Sequence, residues 1–596
     1  MISRRRFISI LMMITALFLL FQGPQIIRER WNQYGTNKFA ELEVIPDDLA
    51  WDDTKQCSGS AVFLGSAESD SWKTAAEWAL YTKRKLYQTD SFDEILDNKD
   101  TGFDLVIIDK ELWNSSTLEA DVRRLTESGI PVLFSQLPDY KRIDESEEAK
   151  SLLGIQFLQE PSVTLEGIHL FEGFFLGGER IYQPVTEEEN YLQDLDLEMT
   201  WYVLGARTET YMMGMLTREG FNNEYMPPVI WSCWNDDSKV YAIEGEYFSD
   251  HMIGIGILDA VLADVKDYFV YPCINSQQFS IVNFPDLSDE NKTTMQKIYS
   301  RNSLGVLHNI VLPGLISDVD ANQFQVSAYI MPEYDYSDQN NPVMWEISYY
   351  LQKLGEVNAE ACYSTEHNDT VTLEDKLGKD LQAFQEVPDY RICAVYATLE
   401  ELEAVDTQIA GAFPDVRTIS TPYTPDSTLI SFLPSGRTRQ VGTAEVTKFT
   451  YTSDLEQIGA ETALGYANIQ MDLKKVIWPQ DEEDYWEKAS KRYFSVADTY
   501  WKNYSAFTNT TATLADQRAR NLLALSYTEE ENDDGDIVLH VEGFSGEAPF
   551  IFRIHGRSIV EMSGGTFKEI EKGAWLLTVT DENAVIKLSE KPKREG

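Results

Sequence analysis

The chain is 596 residues long and 43% hydrophobic, enough for several buried cores at about 150 residues per domain. It carries 98 Asp and Glu against 50 Lys and Arg, and the resulting formal charge of −48 repels phosphate backbones and sets nucleic acid aside as a partner. Its 5 cysteines (Cys57, Cys233, Cys273, Cys362, Cys393) are odd in number, far apart and form no C-x-x-C pair, which excludes a disulfide scaffold, a zinc ribbon and a thioredoxin-like motif.

Arg4, Arg5 and Arg6 precede an uncharged run over 7–21, and the segment 7–27 is close to the roughly 20 residues that cross a bilayer as a helix. No small-x-small cleavage site follows, so 1–30 reads as a retained signal anchor rather than a cleaved signal peptide. The arginines then keep the N-terminus in the cytoplasm and place the bulk of a single-pass cell-membrane protein outside. Residues 1–31 carry a net +4, which leaves −52 on the outer part. The polar stretch 31–57, with Pro46, Asp47 and Asp48, reads as a stalk.

Folded structure is expected from 58. AVFLG (61–65), GFDLVIID (102–109) and IPVLFSQLP (130–138) are apolar strands separated by helical spacing over 72–86 and 117–128. Fully apolar strands alternating with helices predict a parallel sheet covered on both faces. The layout resembles the flavodoxin-like sheet of class I glutamine amidotransferases, although no G-x-C-x-G nucleophile turn is present. PVIWSCW (228–234) and KVYAIEG (239–245) flank N-D-D-S, which is turn chemistry and predicts a β-hairpin. Asp236 and Asp237 in that turn resemble the T-F-D-D aspartates of polysaccharide deacetylases, and a metal site there is the alternative. Glu244, Glu246, Asp250 and His251 form a second acidic group, read as solvated.

From about 303 the rhythm changes. GVLHNIVLPG, FQVSAYIM (324–331), RICAVYA (391–397), VRTIST (416–421), TLISFLP (428–434), VTKFTYT (446–452) and ALGYANIQMDL (463–473) read as strands with helices between them. This pattern predicts a full or incomplete β/α barrel, whose reactive loops follow the strand carboxyl ends. One such loop reads PEYDYSDQNNPVMW. Glu333, Tyr334, Tyr336, Asp338 and Trp345 there suit substrate binding, because rings stack on pyranose faces while acids bond hydroxyls or amines; an ordinary acidic loop with its rings tucked inward has the same composition. An aromatic-striped helix over 481–505, a charge-rich linker over 528–536 and short strands over 537–596 that suit a small β-sandwich complete the chain.

The order of parts, with SAYIMPEYDY and ALGYANIQMD in the barrel, resembles an uncharacterised bacterial domain family related to polysaccharide deacetylases and similar to deacetylase-like proteins of Gram-positive Pel-type exopolysaccharide loci. The expected layout is an amidotransferase-like α/β domain with a hairpin over 58–300, a deacetylase-like β/α barrel over 301–527, the linker, and the sandwich. The resemblance implies zinc or another divalent metal held by an Asp and an H-x-x-x-H pair, with a second Asp as base and a late His as acid. The 6 histidines include no such pair, and Asn468 and Gln470 stand before Asp472 where imidazole would be required.

The expectation is therefore a catalytically degenerate, carbohydrate-binding component of exopolysaccharide export and biofilm formation, without a cofactor. Its partners would be a cationic or neutral hexosamine polysaccharide and membrane glycosyltransferase or export components. The first alternative is an active deacetylase or glycoside hydrolase, for which His308, Asp318, Asp320 and Asp335 are the candidate catalytic residues. The second is a structural envelope interaction protein.

Overall fold

A computed structural model describes residues 37–98, 102–183, 197–216, 226–284, 291–337, 345–385, 390–424, 426–446 and 450–590. The expected anchor over 1–30 and Asp338 lie outside these described residues. The protein is a mixed α/β structure with several sheets.

The N-terminal sheet has nine strands among the described residues. Arg84–Thr89, Gly59–Leu64, Leu105–Ile108, Val132–Phe134 and Ser238–Ile243 run parallel in that spatial order. Pro228–Asn235, Thr208–Met215, Gly167–Leu170 and Arg180–Tyr182 extend the sheet antiparallel. Gly59–Leu64, Leu105–Ile108 and Val132–Phe134 are buried and apolar along nearly their whole length and so need cover on both faces, to which the crossover helices Asp70–Thr82 and Leu118–Thr126 contribute, while Arg84–Thr89 is a polar edge strand. The turn between Asn235 and Ser238 closes the expected hairpin, with Asp236 at φ 49° at its tip.

The second large sheet has ten strands among the described residues: Ile430–Phe432 pairs antiparallel at one edge, Asn509–Thr510 pairs beside Ser276–Phe284, and eight parallel strands follow one another around the curl. The eight are Ser276–Phe284, Val326–Ile330, Glu360–Ser364, Ala394–Tyr396, Thr418–Thr421, Thr438–Val441 and Ala444–Glu445 in one split position, and Tyr466–Asp472. Each position pairs with the next, and the last pairs with the first. The split position closes the curl: Gly442 N donates to Thr421 O (3.0 Å) on one side and Thr443 N to Asn468 O (2.9 Å) on the other.

Several sequence expectations change here. The run 305–314 is not a strand but part of a continuous helix over 303–322 with a π turn at Leu307–Val311; an apolar run of that length fits either state, and burial of Val306, Leu307, Val311, Leu315 and Val319 on one stripe selects the helix. By length and composition this helix could cross a membrane, yet its apolar stripe is packed into the barrel. Strands 276–284, 360–364 and 438–441 were not expected, and the first moves the start of the barrel from 301 back to 276. VTKFTYT is no strand either: Thr450 caps the helix Tyr451–Leu464 through a capping box with Ser453.

The described part of the expected stalk, 37–57, is packed onto the barrel. Asn37 Nδ2 donates to Glu360 Oε1 (3.2 Å), Arg417 Nη1 to Leu42 O (2.9 Å), and Trp51 is buried. The expected linker is strand Ser526–Glu531, paired along its length with Ile537–Glu542, and the turn after it; Glu530 and Glu531 are exposed at its end. It belongs to one of two four-stranded antiparallel sheets that share a core around Leu539, Phe550 and Leu577; Tyr268–Pro272, from mid-chain, completes the other sheet.

Candidate functional site

A curled parallel sheet has two open ends, and here one is plugged. At the amino-terminal end Thr513 N donates to Glu360 Oε2 (3.1 Å), Ala512 N to Ser327 Oγ (2.8 Å), and Gln440 Nε2 to Ala512 O (3.1 Å), so the segment 509–513 forms a floor. The interior above it is unusually polar. Gln278 bonds Gln440 (2.8 Å), Ser280 bonds Asn468 (2.8 Å), and Gln470 Nε2 donates to Thr421 O (3.0 Å). Asn468, Gln470 and Asp472 alternate along one strand and therefore share the inward face. Asn468 and Gln470 hold neighbouring strands together, which leaves Asp472, at the strand's carboxyl end, to face the mouth.

Three strand ends meet there. Asn283, held at φ 56°, where Asn is tolerated, directs Nδ2 at Glu366 Oε2 (2.8 Å) and Asp472 Oδ1 (2.8 Å) and accepts from Ser364 Oγ (2.6 Å) through Oδ1. Both carboxyl oxygens touch one nitrogen, so they lie no more than about 5.6 Å apart. Lys474 N donates to Asp472 Oδ1 (3.0 Å) while its Nζ pairs with Glu366 and sits 4.8 Å from the centre of the Tyr334 ring, which packs on Trp478 (5.2 Å). Burial pushes the Asp472 carboxyl up to about 6, against the opposing bonds from Asn283 and Lys474 N, and pushes the Lys474 ammonium down to about 8. Nearby, His367 donates Nδ1–H to Thr365 O (2.9 Å) and turns Nε2 toward Glu401 (3.5 Å), whose carboxyl burial raises, and Lys475 pairs with Glu445.

The structure distributes the residues expected from sequence. Tyr334 reaches the mouth. Glu333 is buried beside it, its carbonyl accepting from Lys376 Nζ (3.0 Å). Tyr336 is turned into the wall, where its hydroxyl bonds Asp380. Asp335 is not catalytic in geometry: it caps a local turn, accepting from Ser337 N (2.9 Å) and Ser337 Oγ (2.6 Å). Trp345 begins the helix Trp345–Glu356. His308, Asp318 and Asp320 are not at a strand end, because the run that carries them is helical; His308 Nε2 bonds Glu346 Oε2 (2.7 Å) on that neighbouring helix. Of the second acidic group Glu246 is exposed as expected, whereas Asp250 and His251 are engaged in the structure. Asp250 caps the helix His251–Val265, His251 Nδ1 contacts buried Glu77 (3.1 Å), and Asp250 shares a hydrogen bond with Glu456, whose carboxyl rises to about 9.

Asn283, Glu366, Lys474 and Trp478 were missed by sequence reasoning. The signal available was position: Asn283, Glu366 and Lys474 lie at or just beyond the carboxyl end of a strand, and Trp478 follows the short helix after the last of them, but two of those strands had not been recognised.

The donor set does not fit zinc. The two acids turn to an amide N–H and an ammonium, no imidazole joins them, and among the described residues no three His, Cys, Asp or Glu side chains gather as a ligand group. The same holds for Asp236 and Asp237 at their hairpin tip. What the arrangement offers instead is a carboxyl that exchanges its proton near pH 6 beside a second carboxylate paired with an ammonium, rimmed by aromatic rings.

No family model and no curated protein matches the chain. Solved structures similar in part include the exo-β-1,4-mannosidase Op5Man5 from Opitutaceae bacterium strain TAV5, at 7% identity and a TM-score of 0.21 over 32% of each chain. A ThuA-like protein from Bacteroides uniformis matches at 12% identity and a TM-score of 0.23, over 35% of this chain and 91% of that one. The β-galactosidase from Rahnella sp. R3 matches at 10% and 0.21, over 37% of this chain and 34% of that one. The chain thus spans about a third of the length of the two glycosidases, and likeness at these scores carries no argument about activity.

Proposed function

We propose that this is a membrane-anchored, extracytoplasmic carbohydrate-binding protein of exopolysaccharide synthesis or export, with a deacetylase-like barrel that has exchanged metal chemistry for recognition of a hexosamine polymer. The observation that carries this reading is the group of Asn283, Glu366, Asp472 and Lys474 at the open barrel mouth, beside Tyr334 and Trp478. A pyranose presents CH faces to rings and hydroxyls or amines to acids, which is the chemistry this mouth displays. Glu366, Asp472, Glu401 and Glu445 outnumber Lys474 and Lys475, and the charge of −48 extends the attraction for a partly de-N-acetylated, cationic polymer. Binding of glucosamine oligomers to the full-length protein tests this. Affinity should fall as salt rises from 20 to about 500 mM, and absence of binding at low salt refutes the reading.

A second reading, glycoside hydrolysis, has one specific observation in its favour. The two carboxyl groups share the Asn283 Nδ2 donor at 2.8 Å each, a separation compatible with the roughly 5 to 5.5 Å of retaining enzymes, and the raised Asp472 carboxyl stands beside a carboxylate, Glu366, that is paired with Lys474. Release of reducing ends from the same oligomers distinguishes it from binding alone.

A further inference from the structure

The barrel mouth holds an ammonium of the chain's own. Lys474 Nζ pairs with Glu366 and stands 4.8 Å from the centre of the Tyr334 ring, over its face. A carboxylate beside an aromatic face is an arrangement that recognises amines, because the acid meets the charge while the ring quadrupole attracts it from another side. Both walls of this place are held by neighbours other than Lys474. Trp478 packs on the Tyr334 ring at 5.2 Å, and Glu366 accepts from Asn283 Nδ2 (2.8 Å) and, through its own N, donates to Ser364 Oγ (3.3 Å).

The pair is within reach of solvent. The Lys474 side chain is 22% exposed and that of Glu366 13%, and Tyr334, Asp472 and Trp478 are half-buried. Lys474 opens the short helix Lys474–Ile477 directly after the last barrel strand, and its backbone N stays bonded to Asp472 Oδ1 (3.0 Å). Rotation of the side chain alone therefore takes its head off Glu366. Burial pushes the Lys474 ammonium down to about 8, so desolvation outweighs the attraction of the place and the lysine is a weak occupant. Lys475, the next residue, carries the same charge onto a different acid, Glu445.

We infer that Lys474 is a tethered competitor at the mouth, displaced from Glu366 and the Tyr334 face by the ammonium of a de-N-acetylated hexosamine unit. This rests on the carbohydrate reading above and supplies its selectivity. A unit that brings an ammonium restores the pairing of Glu366 as Lys474 leaves, whereas an acetylated unit leaves a half-buried carboxylate without a cation. The tether keeps the competitor at high local concentration, so the ligand's apparent affinity is reduced by the fraction of molecules in which the place is empty.

Calorimetric titration of the full-length protein with de-N-acetylated glucosamine pentamer at pH 7 and low salt reads the sign of the effect. Lys474→Met, which keeps the stem and removes the ammonium, should tighten binding about 10-fold or more, the gain expected when the lysine fills the place in about nine-tenths of molecules. Lys475→Met makes the same change of net charge on the other acid and should tighten it by less than about 3-fold. Binding of N-acetylglucosamine pentamer should hardly change with either variant. Thermal unfolding shows that each variant is folded, and Lys474→Gln, with the same expected gain, serves if Lys474→Met is not. If removing the Lys474 ammonium weakens or leaves unchanged the binding of the de-N-acetylated pentamer, the competitor is refuted while the mouth reading stands. Equal gains from the two lysine variants, or for the two pentamers, trace the effect to net charge or to relief of bulk and refute it too. Absence of binding in the wild type and in the Lys474 variants alike overturns the mouth reading, and the competitor with it.

Discussion

At the carboxyl end of the N-terminal parallel sheet, Asp109 spends Oδ1 on Glu111 N (3.1 Å), and Gly65 is packed so closely that a Cβ there would lie 2.5 Å from Asp109 Cβ. At the same end of the barrel, Asn283, Glu366 and Asp472 point at one another and at the opening. Both sheets have a parallel core, and in both a polar residue ends or follows several strands, such as Asp109 and Ser135 in one and Ser364, Thr421 and Asp472 in the other. One end is sealed by its own turns, and the other is left with acids that burial and pairing perturb. A parallel sheet supplies a place for chemistry, and the strand-end side chains decide whether that place is used.

The largest break in this comparison comes from separating the two units. Helices His251–Val265 and Tyr451–Leu464 cross where Gly256 meets Gly459, and a Cβ on Gly459 would lie 2.2 Å from Met252 O. Gly459→Leu should cost about 3 kcal/mol or more, seen as a lowered denaturation midpoint.

Next in size is the charge on Asp472. Its carboxyl is raised from an ordinary 3.8 to about 6, so the folded state holds the proton more tightly than the unfolded chain. The burden is absent below pH 4, grows as pH rises to about 6 and is complete above it. Asp472→Asn should therefore stabilise the protein by at most about 3 kcal/mol at pH 8 and by almost nothing at pH 4, measured by urea unfolding at both. A stabilising change that weakens binding marks a site held against its own stability.

Glu366→Gln sharpens the contrast at the mouth by releasing Lys474 from its partner. It should weaken binding of the de-N-acetylated pentamer about 10-fold, or about 1.4 kcal/mol, in calorimetry. Smallest is Asp109→Ala, which removes a cap and should cost about 1 kcal/mol of stability with no change in binding.

Much of the scaffold was legible in the sequence because uninterrupted apolar strands such as LVII and VLF require two-sided cover, and the N-D-D-S turn has little alternative to a hairpin. The barrel was harder. Its strands carry polar residues inward, as in Ser276–Phe284 and Tyr466–Asp472, so the hydrophobic signal that marks a strand is halved. The helix over 303–322 shows the opposite error, a run apolar enough to look like a strand until its burial stripe is seen. The site suffered from both. Asp472 and Tyr334 stood in recognised segments, whereas Asn283 and Glu366 close strands that were not recognised, and the convergence of 283, 366 and 472 is a property of the curl that no local spacing records.

The central claim is that the barrel mouth, and not the equivalent end of the N-terminal sheet, recognises the polymer. Its most direct test is one titration of the full-length protein with de-N-acetylated glucosamine pentamer at pH 7 and low salt, run in parallel on wild type, Asp472→Asn and Asp109→Asn. The account predicts binding in the wild type, a loss of 10-fold or more in Asp472→Asn and wild-type affinity in Asp109→Asn. Equal affinity in all three, or a loss confined to Asp109→Asn, contradicts it.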